Sequence, residues 1–150
     1  MSAVLAACGG FLLAVLWMDL IFDVQVLGHS GPLPEPVLAS IAGYYKRATT
    51  DSYPMSRLIA AVMGAAVVGS TVHVFTGGQA LALRMAAVSL CAAPAALALL
   101  RVVPNAVRLG SRRDDVDTQS ALARAICRHH MVCLVCVAAF VSVEFALAVA

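Results

Sequence analysis

Four stretches, residues 3–22, 58–75, 80–100 and 131–150, each run for close to twenty residues with almost no charge. A chain in hydrocarbon must satisfy every backbone N–H and C=O within its own segment or a closed barrel. A helix needs about 20 mostly apolar residues to cross the bilayer core. The four stretches therefore read as transmembrane helices, and the chain as an all-α integral membrane four-helix bundle forming one domain over 1–150. A soluble fold is excluded, since 62% hydrophobic residues, 12% charged residues and a mean hydropathy of +0.93 lie far from soluble composition. The charges gather in 46–57 and 101–128, which mark the water-facing parts. A net charge of +2 excludes a nucleic-acid partner. No basic residue precedes the first run, so it is expected to stay as a span and not to be removed as a signal peptide.

The connections set the topology. Pro32, Pro34 and Pro36 break any helix after the first span, and 37–50 can then form a short amphipathic helix. Tyr44, Tyr45, Lys46 and Arg47 at its end suit the headgroup zone. Thr76-Gly77-Gly78-Gln79 dictates a tight antiparallel hairpin between the second and third spans. Residues 101–128 read as a long polar linker, within which Asp117 is placed to cap a helix starting at Thr118, with Asp114 and Asp115 favouring the same start. Every lysine and arginine except Arg84 falls in the two long connections. The positive-inside rule puts that side in the cytoplasm, matrix or stroma and both termini on the opposite side of a bacterial or organelle inner membrane. Small residues four apart, such as Ala60 and Gly64 or Ala82 and Ala86, allow close helix approach inside the bundle or against a membrane partner.

Charges at membrane depth cost about 2.5–3.5 kcal/mol at the centre on insertion scales, so each requires a partner or a task. His73, Arg84 and Glu144 share one layer, where an Arg84–Glu144 ion pair with His73 alongside is expected as a structural clasp. Asp19 and Asp23, one turn apart, share the other layer with His129 and His130. Carboxylates and imidazoles are ligands for zinc, iron or manganese. However, adjacent histidines point about 100° apart on a helix, so at most one faces the aspartates. No metal is expected there; instead Arg101, Arg108 and Arg128 are expected to hold the aspartates in an ionic network.

Cys133 and Cys136 form a CxxC pair in a four-helix frame, which resembles membrane thiol oxidoreductases of the vitamin K epoxide reductase type. The likeness ends there, because no loop cysteine is available to relay electrons and the pair reads as packing. With Cys8, Cys91 and Cys127 the cysteine count is odd, and no disulfide framework is expected.

Over the last third of the chain, Pro104-Asn105, an acidic cluster and then His129 or His130 at the start of the last helix follow the order of the anthrone-oxygenase-like family of four-helix membrane proteins, although the tryptophan of that pattern is absent. The resemblance implies oxygen-dependent oxidation of a hydrophobic aromatic, with Asn105 and His129 or His130 near the substrate.

Two expectations of different class result. One is a structural or accessory subunit that packs against membrane partners or a second copy of itself in the lipid. The other is a membrane-embedded oxidoreductase or oxygenase for a lipophilic substrate, with Asp19, Asp23, Asn105, His129 and His130 as candidate catalytic residues. A heavier complex favours the first, and a lone bundle carrying a bound small molecule favours the second. The residues name no cofactor.

Overall fold

The computed structural model describes residues 1–51 and 53–149; Ala150, the last residue of the expected fourth span, lies outside them. The described residues form helices and no strand. Helix α1 covers Ser2–Asp23, α2 Glu35–Lys46, α3 Tyr53–Thr76, α4 Leu81–Leu97, α5 Val103–Ser111 and α6 Val116–Val149. Four helical runs are long and apolar enough to cross a membrane: Ser2–Val26, Pro54–Thr76, Leu81–Ser111 and Val116–Val149. Their outward faces carry large apolar side chains, among them Trp17 at 65% exposed, Phe75 at 83% and Val135 at 69%. Such an apolar exterior belongs in lipid, not water.

The third and fourth runs extend past their expected limits. A π-helical turn, Ala98–Val102, carries α4 directly into α5, and α6 begins at Val116, so of the expected 101–128 linker little more than a tight turn is not helical. Proline explains the turn. Pro104 has no N–H to return to the carbonyl four residues back, and a π register just before it absorbs that loss without breaking the helix. The start of α6 also differs from expectation. Asp115, not Asp117, caps it, with the Thr118 N–H donating to Asp115 Oδ1 at 2.9 Å and the Thr118 hydroxyl to Oδ2 at 2.8 Å.

At about 1.5 Å per residue α6 is about 50 Å long, some 20 Å more than a typical hydrocarbon core. Its N-terminal part stands beside α2 and α5, and the three form a collar at the end of the bundle away from the termini. Leu38, Ile41, Leu109 and Ile126 are fully buried there, each contributing about 1.5–3 kcal/mol if water is the alternative environment. On α2, Leu38, Ile41, Ala42 and Tyr45 make one buried stripe at helical spacing, and it faces α5 and α6. Tyr45 thus points into the protein and not at headgroups. Gly110 permits the closest approach in the collar: a Cβ there would sit 3.0 Å from the Lys46 backbone nitrogen. The connection between α1 and α2 is tied to α6 by the Leu33 N–H, which donates to Ser120 Oγ at 2.8 Å, and by Arg124, which donates to the carbonyls of His29 and Gly31.

Within the spans α1 packs most closely on α6. Gly9 sits where a Cβ would meet Val141 Cγ2 at 2.5 Å. Gly69 meets Leu5 in the same way, but Ala60 and Gly64 face outward, and nothing lies within 4 Å of a Cβ placed on Gly64.

Candidate functional site

The inner polar layer forms where α1, α2 and α6 converge. Asp19 and Asp23 occur one turn apart at the end of α1, Tyr44 and Tyr45 close α2, and His130 lies where α6 leaves the collar. Tyr45 donates its hydroxyl proton to Asp23 Oδ1 at 2.6 Å, and His130 Nδ1 lies 2.6 Å from Asp23 Oδ2. Both carboxylate oxygens of Asp23, a residue with no exposed surface, are therefore engaged. With Asp23 as the acceptor of that contact, Nδ1 is its donor and Nε2 lies on the other side of the ring. Tyr44 donates to Asp19 Oδ1 at 2.6 Å and stacks on Phe22, with ring centroids 4.2 Å apart. Burial first, and then the neighbouring carboxylates, push both phenols well above the ordinary tyrosine range, so they remain donors. Asp19 Oδ2 and His130 Nε2 are left 3.7 Å apart, too far for a hydrogen bond.

Asp19 and His130 both line a cavity of about 220 Å³. Its wall is otherwise almost entirely apolar: Leu12 from α1, Met63 from α3, Pro94 and Ala95 from α4, and Val137 and Phe140 from α6. Both π-helical turns contribute to it, through Ala48 and Thr49 of Arg47–Asp51 and through Ala98 and Val102 of Ala98–Val102. In the first, the Thr49 hydroxyl donates to the Tyr45 carbonyl at 2.7 Å. No lysine or arginine lines the cavity.

Of the five candidates read from the sequence, Asp19, Asp23 and His130 meet here. His129 does not; it points about 100° away on α6 and stays half-buried. Asn105 lies on α5 between the cavity-lining Val103 and Ala106 but is not itself part of the wall. The arginine network is replaced. Arg108 binds Asp114 through two contacts of 2.8 Å, and Arg112 binds Glu35 at 2.5 and 2.7 Å, while Arg101 and Arg128 are exposed. The aspartates take tyrosine and histidine instead, because the end of α2 sets Tyr44 against Asp19 and Tyr45 against Asp23. Among the described residues no three His, Cys, Asp or Glu side chains gather so as to hold a metal ion. The two tyrosines are the site residues that sequence reasoning missed, although the spacing Leu38, Ile41, Ala42, Tyr45 already carried the signal for the second.

The outer layer also departs from expectation. Arg84 donates to the carbonyls of His73 at 3.2 Å and Val74 at 2.5 Å and makes no ion pair with Glu144. The hairpin explains this: it folds Arg84 over the last turn of α3, whose carbonyls have no partner within their helix. Glu144 has no exposed surface and neither of its oxygens has a hydrogen-bond partner; the Ser70 hydroxyl and Arg84 Nε, both buried, also lack one. The cysteines are free thiols; Cys133 lines the cavity, with its Sγ 3.8 Å from the Pro94 carbonyl.

What the inner site can do follows from its parts. An imidazole held at Nδ1 by a buried carboxylate has one defined nitrogen, Nε2, with which to take or give a proton. Asp19 Oδ2 beside it can orient a second polar atom. The apolar wall admits a lipophilic molecule to that point. Comparison with protein-family models, with curated proteins and with solved structures finds no match for this chain.

Proposed function

We propose that this chain is a membrane-embedded acid–base site that binds a lipophilic molecule and moves a proton on its polar group. One observation carries the reading: His130, held through Nδ1 by Asp23, lines an apolar cavity of about 220 Å³ together with Asp19. Asp19 Oδ2 and His130 Nε2 are 3.7 Å apart, beyond hydrogen-bond reach of each other, so each has capacity for a bound polar group. In this reading Asp23 and Tyr45 hold the ring, His130 exchanges the proton, Asp19 orients the substrate, and the apolar wall receives its lipophilic part. The reading belongs with the enzyme class and not the accessory class. It retains His130 from the anthrone-oxygenase-like pattern and drops Asn105 from the substrate's surroundings. Oxidation would need an oxidant or cofactor beyond these side chains, and proton transfer is what they supply themselves. The positive-inside bias assigns the site to the cytoplasmic, matrix or stromal side of the membrane.

The test is purification of the full chain in mild detergent, with its mass recorded and any bound molecule extracted for mass spectrometry. The expected result is a stoichiometric lipophile that is lost when Ala95→Phe fills the cavity and kept in His130→Gln, with a changed lipid product only where His130 is intact. A larger complex without any bound lipophile would reverse the reading in favour of an accessory subunit. Outward-facing Ala60 and Gly64 support that second reading, since they leave a smooth strip of α3 for another helix.

A further inference from the structure

The shape and charge of the cavity narrow what it holds, given the reading above that it takes a lipophilic molecule. On α6 the lining residues His130, Cys133, Val137 and Phe140 recur every three or four positions, so they form one stripe along the helix. From His130 to Phe140 the stripe rises about 15 Å at about 1.5 Å per residue. On α3 the lining runs from Ser56 to Ala66, the same number of residues. The lining is thus a slot parallel to the helices, and Phe140, with no exposed surface, belongs to it at the end away from His130. That length of lining, about 15 Å along α6, suits an extended hydrocarbon chain.

The polar end selects the head. Asp19 and Asp23 put two carboxylates beside one imidazole, and no lysine or arginine lines the cavity to offset them. An anionic head would meet like charge in a low-dielectric place, whereas a head that donates a hydrogen bond has Asp19 Oδ2 and His130 Nε2 as ready acceptors. We propose that the site binds a single-chain lipophile with a hydrogen-bond-donating head, a long-chain alcohol or amine, its head between Asp19 and His130 and its chain along α6 toward Phe140. At about 1.3 Å of rise per carbon for bonds of about 1.5 Å, the slot accommodates about twelve carbons.

The experiment measures equilibrium binding of tritiated dodecan-1-ol to the full chain in nanodiscs, with empty nanodiscs as the blank. Competitors are dodecylamine, dodecanoate, anthracene and primary alcohols of six to sixteen carbons. Dodecylamine and dodecanol should compete, with dodecanoate at least tenfold weaker. Because the nanodisc lipid is as apolar as the slot, affinity relative to lipid should hold within a few fold up to about twelve carbons and fall beyond, where the chain outruns the slot. Asp19→Asn should weaken the amine and improve dodecanoate while leaving the alcohol within a few fold. If dodecanoate competes as well as the alcohol, or Asp19→Asn leaves the ranking unchanged, the head assignment is overturned. If anthracene competes best, or sixteen carbons bind as well as twelve, the slot is overturned. In both cases the lipophile reading survives provided that binding is saturable and abolished by Ala95→Phe. No saturable binding of any probe, together with no co-purified lipophile, removes the reading and the inference together.

Discussion

Tyr45, Asp23 and His130 form two of the three 2.6 Å contacts in the inner layer, and each comes from a different element. Removing the phenol in Tyr45→Phe leaves Asp23 Oδ1 buried without a donor, which should cost about 1–3 kcal/mol. Tyr44→Phe should cost less, because Asp19 retains some exposure. Unfolding in detergent measures both, and a cycle pairing Tyr45→Phe with Asp23→Asn should show losses well short of additive; full additivity would mean that the two groups do not depend on each other. Glu144 is the opposite case. A buried carboxylate with two unpartnered oxygens gains nothing from its charge, so the neutral isostere in Glu144→Gln should hold or raise the melting temperature. A lowered melting temperature would reveal a partner that the charge serves.

Among the helices, α2 and α5 are the least apolar overall, yet they position the site. Their contact depends on Gly110, where a Cβ would press on the Lys46 backbone at 3.0–3.1 Å, and a helix backbone cannot yield as a side-chain tip can. Gly110→Ala should therefore destabilise by about 1–3 kcal/mol, while Gly64→Ala, facing open space, should be neutral or slightly stabilising through helix propensity. Equal effects from the two in a thermal melt would refute the close contact. The start of α6 has its own signature in pH. The Thr118 backbone N–H, and then its hydroxyl, hold the Asp115 carboxyl below its ordinary value of 3.8. A depressed carboxyl contributes fully above that ordinary value and loses its contribution as pH falls through the lowered one. Protection of the Thr118 amide from exchange, measured against the unstructured rate at the same pH, should thus fall in acid, and Asp115→Ala should show the low protection already at neutral pH.

For the whole molecule, the site's address in the cell rests on orientation. All lysines and arginines outside the spans belong to the collar end, whereas the termini and the Gly77-Gly78 hairpin have none. An alkaline phosphatase fusion after residue 149 should be active outside a bacterial inner membrane, and a fluorescent-protein fusion there should be dark. The reverse pair of results would put the collar, and with it the cavity's polar end, on the outer side.

The sequence by itself determined the four spans, the tight hairpin, the two polar layers and the rule that only one of His129 and His130 could face the aspartates. Each of these depends on length, hydropathy or helical period, which are properties of one segment at a time. Only the tertiary structure decided which partners the charges took. Arg84 chose the carbonyls of α3 over Glu144, and Asp19 and Asp23 took Tyr44, Tyr45 and His130 over the arginines. Depth and charge allowed both sets of partners. The choice between them came from how α2 lies across the bundle and how closely the hairpin folds, distances set between elements that no single segment encodes. The cavity has the same origin, since its wall is drawn from helices far apart in the chain, and the space between them exists only once they pack.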